Sequence, residues 1–171
     1  MLLPHFVKAQ DKLQFISEMI DFEINNTQFL TNGIFVFANN SNREIKQMMI
    51  FPFSQDTDSI KIKRVFNLSY NQSIRYQLID KGIAFKIVFL PNDTVKINIS
   101  YSQARQHENI YLLNSTLTWG KALQTARYSL TFDESVIIDS ISYKPDKIEG
   151  NIYYWNKKNF YPEDDFKIMI K

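Results

Sequence analysis

The segment TVKINISY places Val95, Ile97, Ile99 and Tyr101 on one side of an extended chain and Thr94, Lys96, Asn98 and Ser100 on the other. Side chains two apart share a face only in a strand, so this alternation predicts a β-strand with one wet face and excludes a helix. RYSLTF repeats it, with Tyr128, Leu130 and Phe132 opposite Arg127, Ser129 and Thr131. FKIMIK repeats it again, with Phe166, Ile168 and Ile170 opposite Lys167, Met169 and Lys171. NGIFVFAN and IAFKIVFLP are apolar on both faces and read as central strands. The second of these follows SIRYQLI across Asp80, Lys81 and Gly82, a hairpin turn in which glycine supplies the needed backbone freedom.

Further strands are expected at 15–24, 45–51, 60–66, 111–119, 136–143 and 152–155, about eleven in all. Two of these segments also carry helical spacing: Leu13, Ile16 and Ile20 in the first, and the run REIKQMMIF in the second. Their unambiguous β neighbours favour strands. Lys121–Ala126 has room for one helical turn. The predicted fold is all-β, an antiparallel β-sandwich of immunoglobulin-like kind. It is built either as two packed lobes, 10–104 and 105–171, or as one enlarged sandwich. The polar run SQARQHEN marks the junction.

In the 111–119 segment, Trp119 falls in phase with Tyr111, Leu113 and Leu117, so it is expected to pack inward at a corner, with Gly120 turning the chain. The aromatic run YYWNKKNFYPEDDF offers the best recognition surface. Tyr153, Trp155, Phe160 and Tyr161 flank a loop stiffened by Pro162, the kind of rigid aromatic set that sugar platforms and interaction sites use. The competing reading of the same residues is a packed inter-sheet corner.

Composition narrows the chemistry. The sequence contains no Cys, which removes disulfides, thiolate nucleophiles, zinc-thiolate sites and iron–sulfur clusters together. Two histidines, His5 and His107, stand far apart and give neither a catalytic relay nor a His-based metal site. Asp56 and Asp58 sit in a polar loop, and Glu163, Asp164 and Asp165 precede the last strand; both groups read as solvated turns, because neither has the glycine-spaced length of a calcium loop. Four glycines, none clustered, leave no phosphate cradle. No cofactor is expected.

Residues 1–103 hold 11 basic and 9 acidic residues, and 104–171 hold 9 of each, so neither part has the field of a nucleic-acid binder. The basic run KIKR, Lys61 to Arg64, lies on a β pattern and suits a charged edge strand. Seven Asn-x-Ser/Thr triplets occur, among them Asn98 and Asn114, which the alternation places on outward faces. No apolar run is long enough to cross a membrane as a helix. Val7 and Ala9 before Gln10 make the arrangement a signal peptidase accepts, behind an apolar stretch too short for a complete signal peptide.

FVFANNSNREIKQMMIFPF, LTWGKALQTARYSLTF and YYWNKKNFYPEDDFKIMI, together about a third of the chain, resemble a loose group of exported bacterial and archaeal proteins of unknown function. That group has tandem immunoglobulin-like β-sandwich domains. The resemblance implies an extracytoplasmic sandwich and supplies no catalytic residues. The expected function is a non-catalytic binding or scaffolding module that meets a protein or a cell-surface glycan through Trp155, Tyr153, Phe160 and Tyr161. The alternatives are a carbohydrate-binding module and, further off, a hydrolase built on carboxylates.

Overall fold

A computed structural model describes residues 12–171. His5 and the Val7–Ala9 arrangement lie outside the described residues. In chain order the first seven strands are β1 (Leu13–Ile24), β2 (Gln28–Asn39), β3 (Ile45–Pro52), β4 (Ile60–Asn67), β5 (Gln72–Ser73), β6 (Tyr76–Ile79) and β7 (Gly82–Phe89). After them come β8 (Thr94–Ala104), β9 (Glu108–Tyr111), β10 (Leu123–Phe132), β11 (Ile138–Ile141), β12 (Lys147–Glu149), β13 (Ile152–Phe160) and β14 (Phe166–Ile170). Both segments with helical spacing are strands, because burying one face against a sheet outweighs a weak local helical preference.

Eight strands form one sheet in the order β12-β13-β10-β1-β2-β8-β4-β5, and two three-stranded sheets, β11-β14-β9 and β3-β7-β6, complete the molecule. The large sheet crosses the 104/105 junction. Within it the pair β1/β10 runs parallel from Ser17↔Thr125 to Ile24↔Phe132. This corrects the expectation of a wholly antiparallel arrangement. A parallel pair needs a long crossover, and here nearly the whole N-terminal part of the chain supplies it; alternation along a strand is the same for either direction of its neighbour.

Both small sheets pack on one face of the large sheet. Phe22 of β1 meets Phe166 of β14 at 4.9 Å between ring centres, while Phe35 of β2 meets Phe51 of β3 at 5.3 Å and Phe37 meets Phe89 of β7 at 6.2 Å. The alternating residues named above fill this interface: Val95, Ile97, Ile99, Tyr101, Tyr128, Leu130, Phe166, Ile168 and Ile170 are all buried. Asp80 and Lys81 form the expected hairpin turn between β6 and β7, closed by Gly82 opposite Ile79.

Three local expectations change. The strand predicted at 111–119 ends at Tyr111, and Leu113–Trp119 forms a 3-10 segment instead. The cause is side-chain competition for the backbone. Ser115 Oγ donates to the Leu112 carbonyl at 2.8 Å, Thr116 Oγ1 to Leu113 at 2.9 Å and Thr118 Oγ1 to Ser115 at 2.8 Å. Each closes a turn that a strand cannot hold. Gly120, at φ 68°, ends the segment in the left-handed region, and β10 starts at Leu123, so the helical turn expected at Lys121–Ala126 does not form. Asn98, expected outward and wet, is buried; its amide donates to Asn32 Oδ1 at 2.8 Å and to the Gly33 carbonyl at 2.9 Å.

Candidate functional site

One half of the interface between the layers is closed and the other is open. In the open half a cleft of about 490 Å³ lies above β1, β2 and β8, a volume in the range of small-molecule sites. One wall is β3, the terminal strand of its sheet, whose residues from Gln47 to Pro52 line the opening in unbroken succession. Residues on both faces of a strand reach one opening only when the strand's edge borders it. The opposite wall is the 3-10 segment, through Ser115, Thr116, Thr118 and Trp119. Asp165 holds that segment from below by accepting the Asn114 N–H at 2.9 Å.

The floor is aromatic. Phe15 and Phe37 stack at 4.8 Å, and the Trp119 ring leans on them at 6.0 and 5.2 Å. Gly33 shapes the neighbouring floor, because a Cβ there would stand 2.5 Å from Cζ of Phe35. Its missing side chain is the space that ring occupies.

At the bottom lies Glu18, 2% exposed, on the core face of the large sheet. A register shift between Phe15 and Ser17 puts it there: Leu13 and Phe15 face inward on one side of the irregularity, and Glu18, Ile20, Phe22 and Ile24 on the other. Bulges of this kind re-aim a side chain. Tyr128 Oη donates to Glu18 Oε1 at 2.5 Å, and Tyr111 Oη stands 3.5 Å from Oε2. Burial pushes the Glu18 carboxyl up to about 7, against the opposing pull of the two tyrosine hydrogen bonds. The same burial, and then the Glu18 charge, holds the Tyr111 and Tyr128 hydroxyls protonated well above their ordinary range.

The residues nominated from sequence are dispersed. Trp155 is 1% exposed, and its indole N–H donates to the Tyr143 carbonyl at 2.9 Å, the arrangement of a packed side chain. Tyr153 and Phe160 are half-buried, against Phe132 at 5.2 Å and Tyr143 at 5.9 Å respectively, and Tyr161 alone of the four is exposed, at 53%. None of the four lines the cleft. Trp119, assigned to packing, does line it. Glu18 is not among the residues nominated from the sequence. Its phase with Ile20, Phe22 and Ile24 is the signal that marks it as a core-facing acid.

Of the other acids raised by the sequence, Asp56, Asp164 and Asp165 have structural partners. Tyr143 Oη receives the backbone N–H groups of Glu163 and Asp164, and Asp164 pairs with Lys167 at 3.0 Å. Asp56 faces Lys81 at 3.7 Å in the exposed turn. Among the described residues there is no group of three or more His, Asp or Glu side chains placed to share a metal ion, and no helix long and apolar enough to cross a membrane.

No protein-family model and no curated protein matches the sequence. Solved structures do match the fold. A candidate nutrient-binding protein from Legionella pneumophila subsp. pneumophila superimposes with a TM-score of 0.68 at 17% identity, over 93% of this chain and 67% of its own. An M1 zinc metallopeptidase from Deinococcus radiodurans gives 0.56 at 7% identity, over 92% of this chain and 42% of the peptidase. Leukotriene A4 hydrolase from Saccharomyces cerevisiae gives 0.54 at 11% identity, over 99% of this chain and 33% of the hydrolase. The chain thus spans less than half of either hydrolytic enzyme, and at such identities the likeness is one of fold.

Proposed function

We propose that the protein is a non-catalytic binding module, working outside the cytoplasm, whose ligand occupies the cleft between β3 and the Leu113–Trp119 segment. The layered arrangement is read as a variant of the sandwich expected from the sequence. The observation that carries the proposal is the open, aromatic-floored space of about 490 Å³ between the layers. A core that could have been filled is left hollow where two Phe rings and a Trp ring face it, and apolar surface held open to solvent is retained for an occupant.

Among the described residues, Glu18 is the only Asp or Glu in the lining, and no Lys, Arg or His accompanies it. A single acid at the bottom of an apolar cleft is read as one of the few polar groups that orient a ligand in such sites. The fold likeness to a protein described as a candidate nutrient-binder supports the same reading. A carbohydrate platform built on Trp155 would need that ring in solvent, and it is buried.

The test is uptake of a neutral apolar dye. Nile red binds with a blue-shifted emission, and Ser115→Trp, which sets an indole in the cleft mouth, removes that uptake while leaving the melting temperature within a few degrees. Equal uptake by both proteins overturns the proposal.

A further inference from the structure

We propose that the ligand is an apolar primary amine, its ammonium group docking on the Glu18 carboxylate and its hydrocarbon body lying between Phe37, Trp119 and the edge of β3. This rests on the cleft being a binding site and adds the chemical class of what it holds.

The charge inventory around Glu18 leads there. The titratable groups that face its carboxyl are Tyr128 from β10 and Tyr111 from β9, both hydrogen-bond donors toward it. Its register neighbours, Phe35 on β2 and Ala126 on β10, carry no charge. From β3 and β7 the lining side chains nearest the floor are Met49, Phe51 and Phe85, and from the 3-10 segment Ser115, Thr116, Thr118 and Trp119. Among the described residues, no cation belonging to the protein lines the space. An isolated carboxylate in such surroundings either holds a proton or acquires a cationic partner.

Donor and acceptor counting narrows the partner further. A carboxylate offers about four acceptor positions, and the two tyrosines use two. The remaining positions call for donors, and an ammonium group brings three with a full positive charge. An anionic ligand meets the opposite sign and no basic residue. The aromatic floor adds an independent attraction, because burying the hydrocarbon body against Phe37 and Trp119 removes apolar surface from water.

The proton balance is explicit. Below the pH at which Glu18 ionises, the alkylammonium ion displaces the carboxyl proton, which leaves to water, and the product is an ion pair between the Glu18 carboxylate and the intact ammonium group. Affinity for the amine therefore falls about tenfold per pH unit below about 7. A neutral ligand of the same shape shows no such slope.

Calorimetric titration of the whole chain with phenylbutylamine and with phenylbutanol tests this. At about pH 8 the amine is expected to bind about ten- to a hundredfold tighter than the alcohol. The preference shrinks as pH falls through 7, with proton release read from titrations in buffers of different ionisation heat. Glu18→Gln brings amine and alcohol to equal affinity and removes the slope. If that variant fails to fold, the two ligands and the pH series on the unaltered protein decide alone. Alcohol binding with no amine preference at about pH 8 overturns the inference and leaves the cleft reading standing. Failure of amine, alcohol and Nile red alike overturns both.

Discussion

Trp155 and Trp119 stand over the same face of the large sheet and are used in opposite ways. Around Trp155 the layers close. Phe166 of β14 is fully buried and touches Phe22 and Trp155 at 4.9 Å, Tyr128 at 5.4 Å and Tyr143 at 5.8 Å, and the indole N–H has its carbonyl. Around Trp119 they part, and the ring is half-buried against Phe15 and Phe37 with the cleft on its other side. The difference lies in what covers each half. The β11-β14-β9 sheet brings Phe166 down into the rings, whereas the β3-β7-β6 sheet stops at the edge of β3 and leaves a 3-10 segment to form the other bank. Aromatic content is therefore no guide to where the open cleft lies; the ending of the covering layer is.

The contrast breaks most directly under truncation. Phe166→Ala removes a ring with aromatic neighbours on several sides and is expected to cost about 3–5 kcal/mol. For a domain of this size that lowers the melting temperature by roughly 10 °C. Trp119→Ala removes a ring that already faces open space on one side, and is expected to cost less than half as much. Thermal unfolding of the two variants under one condition gives the comparison. Equal losses would mean that the cleft is closed in solution and that both halves are packed alike.

A second measurement concerns the acid beneath the open half. In the folded chain Glu18 keeps its proton up to about 7, and in the unfolded chain only to its ordinary value of 4.5. Between those values the folded state holds a proton the unfolded state has lost, so stability falls as pH rises through the window. The stabilisation is fully present below 4.5 and gone above about 7, a change of about 3 kcal/mol. Asp146 and Asp164, whose carboxyls are lowered by their hydrogen bonds to backbone N–H groups and to lysines, act at more acid pH and with the opposite slope. Chemical denaturation of the unaltered chain and of Glu18→Gln between about pH 4 and pH 8 separates them. The difference between the two proteins should grow toward alkaline pH in favour of the glutamine variant, and a constant difference would place Glu18 in water.

Much of this architecture could be read from alternation, because residue phase is local. Val95, Ile97, Ile99 and Tyr101 show their face without reference to any partner, and β14 follows in the same way, whereas β9 falls on residues read as the junction. What alternation misses is whatever depends on a distant partner or on a break in phase. The parallel pairing of β1 with β10 leaves no mark in either strand. The 3-10 segment was written in Ser115, Thr116 and Thr118, but an alternating reading of Leu113 and Leu117 masked it. The site itself fell on such breaks: Glu18 sits just past a register shift, and Trp119 at the end of a segment that only resembled a strand. Trp155 drew notice because of its aromatic neighbours, and those neighbours are what bury it.

The smallest expected effect bears most directly on how the open half keeps its shape. Gly33 has no positive φ to require it; its role is steric. A methyl group at this position meets Cζ and Cε2 of Phe35 at 2.5 and 2.7 Å and Cδ1 of Ile20 at 3.0 Å. Ile20 is fully buried and cannot yield far, while Phe35 borders the cleft and can swing into it. Gly33→Ala is therefore expected to cost only about 1–2 kcal/mol, the lower part of the range for overpacking, because open space relieves the clash. The relief fills part of the cleft, so Nile red uptake should fall several-fold while Phe166 and its neighbours are untouched. A stability loss with uptake unchanged would show that Phe35 moves elsewhere, and that the hollow above β1 and β2 is maintained by the covering layer alone.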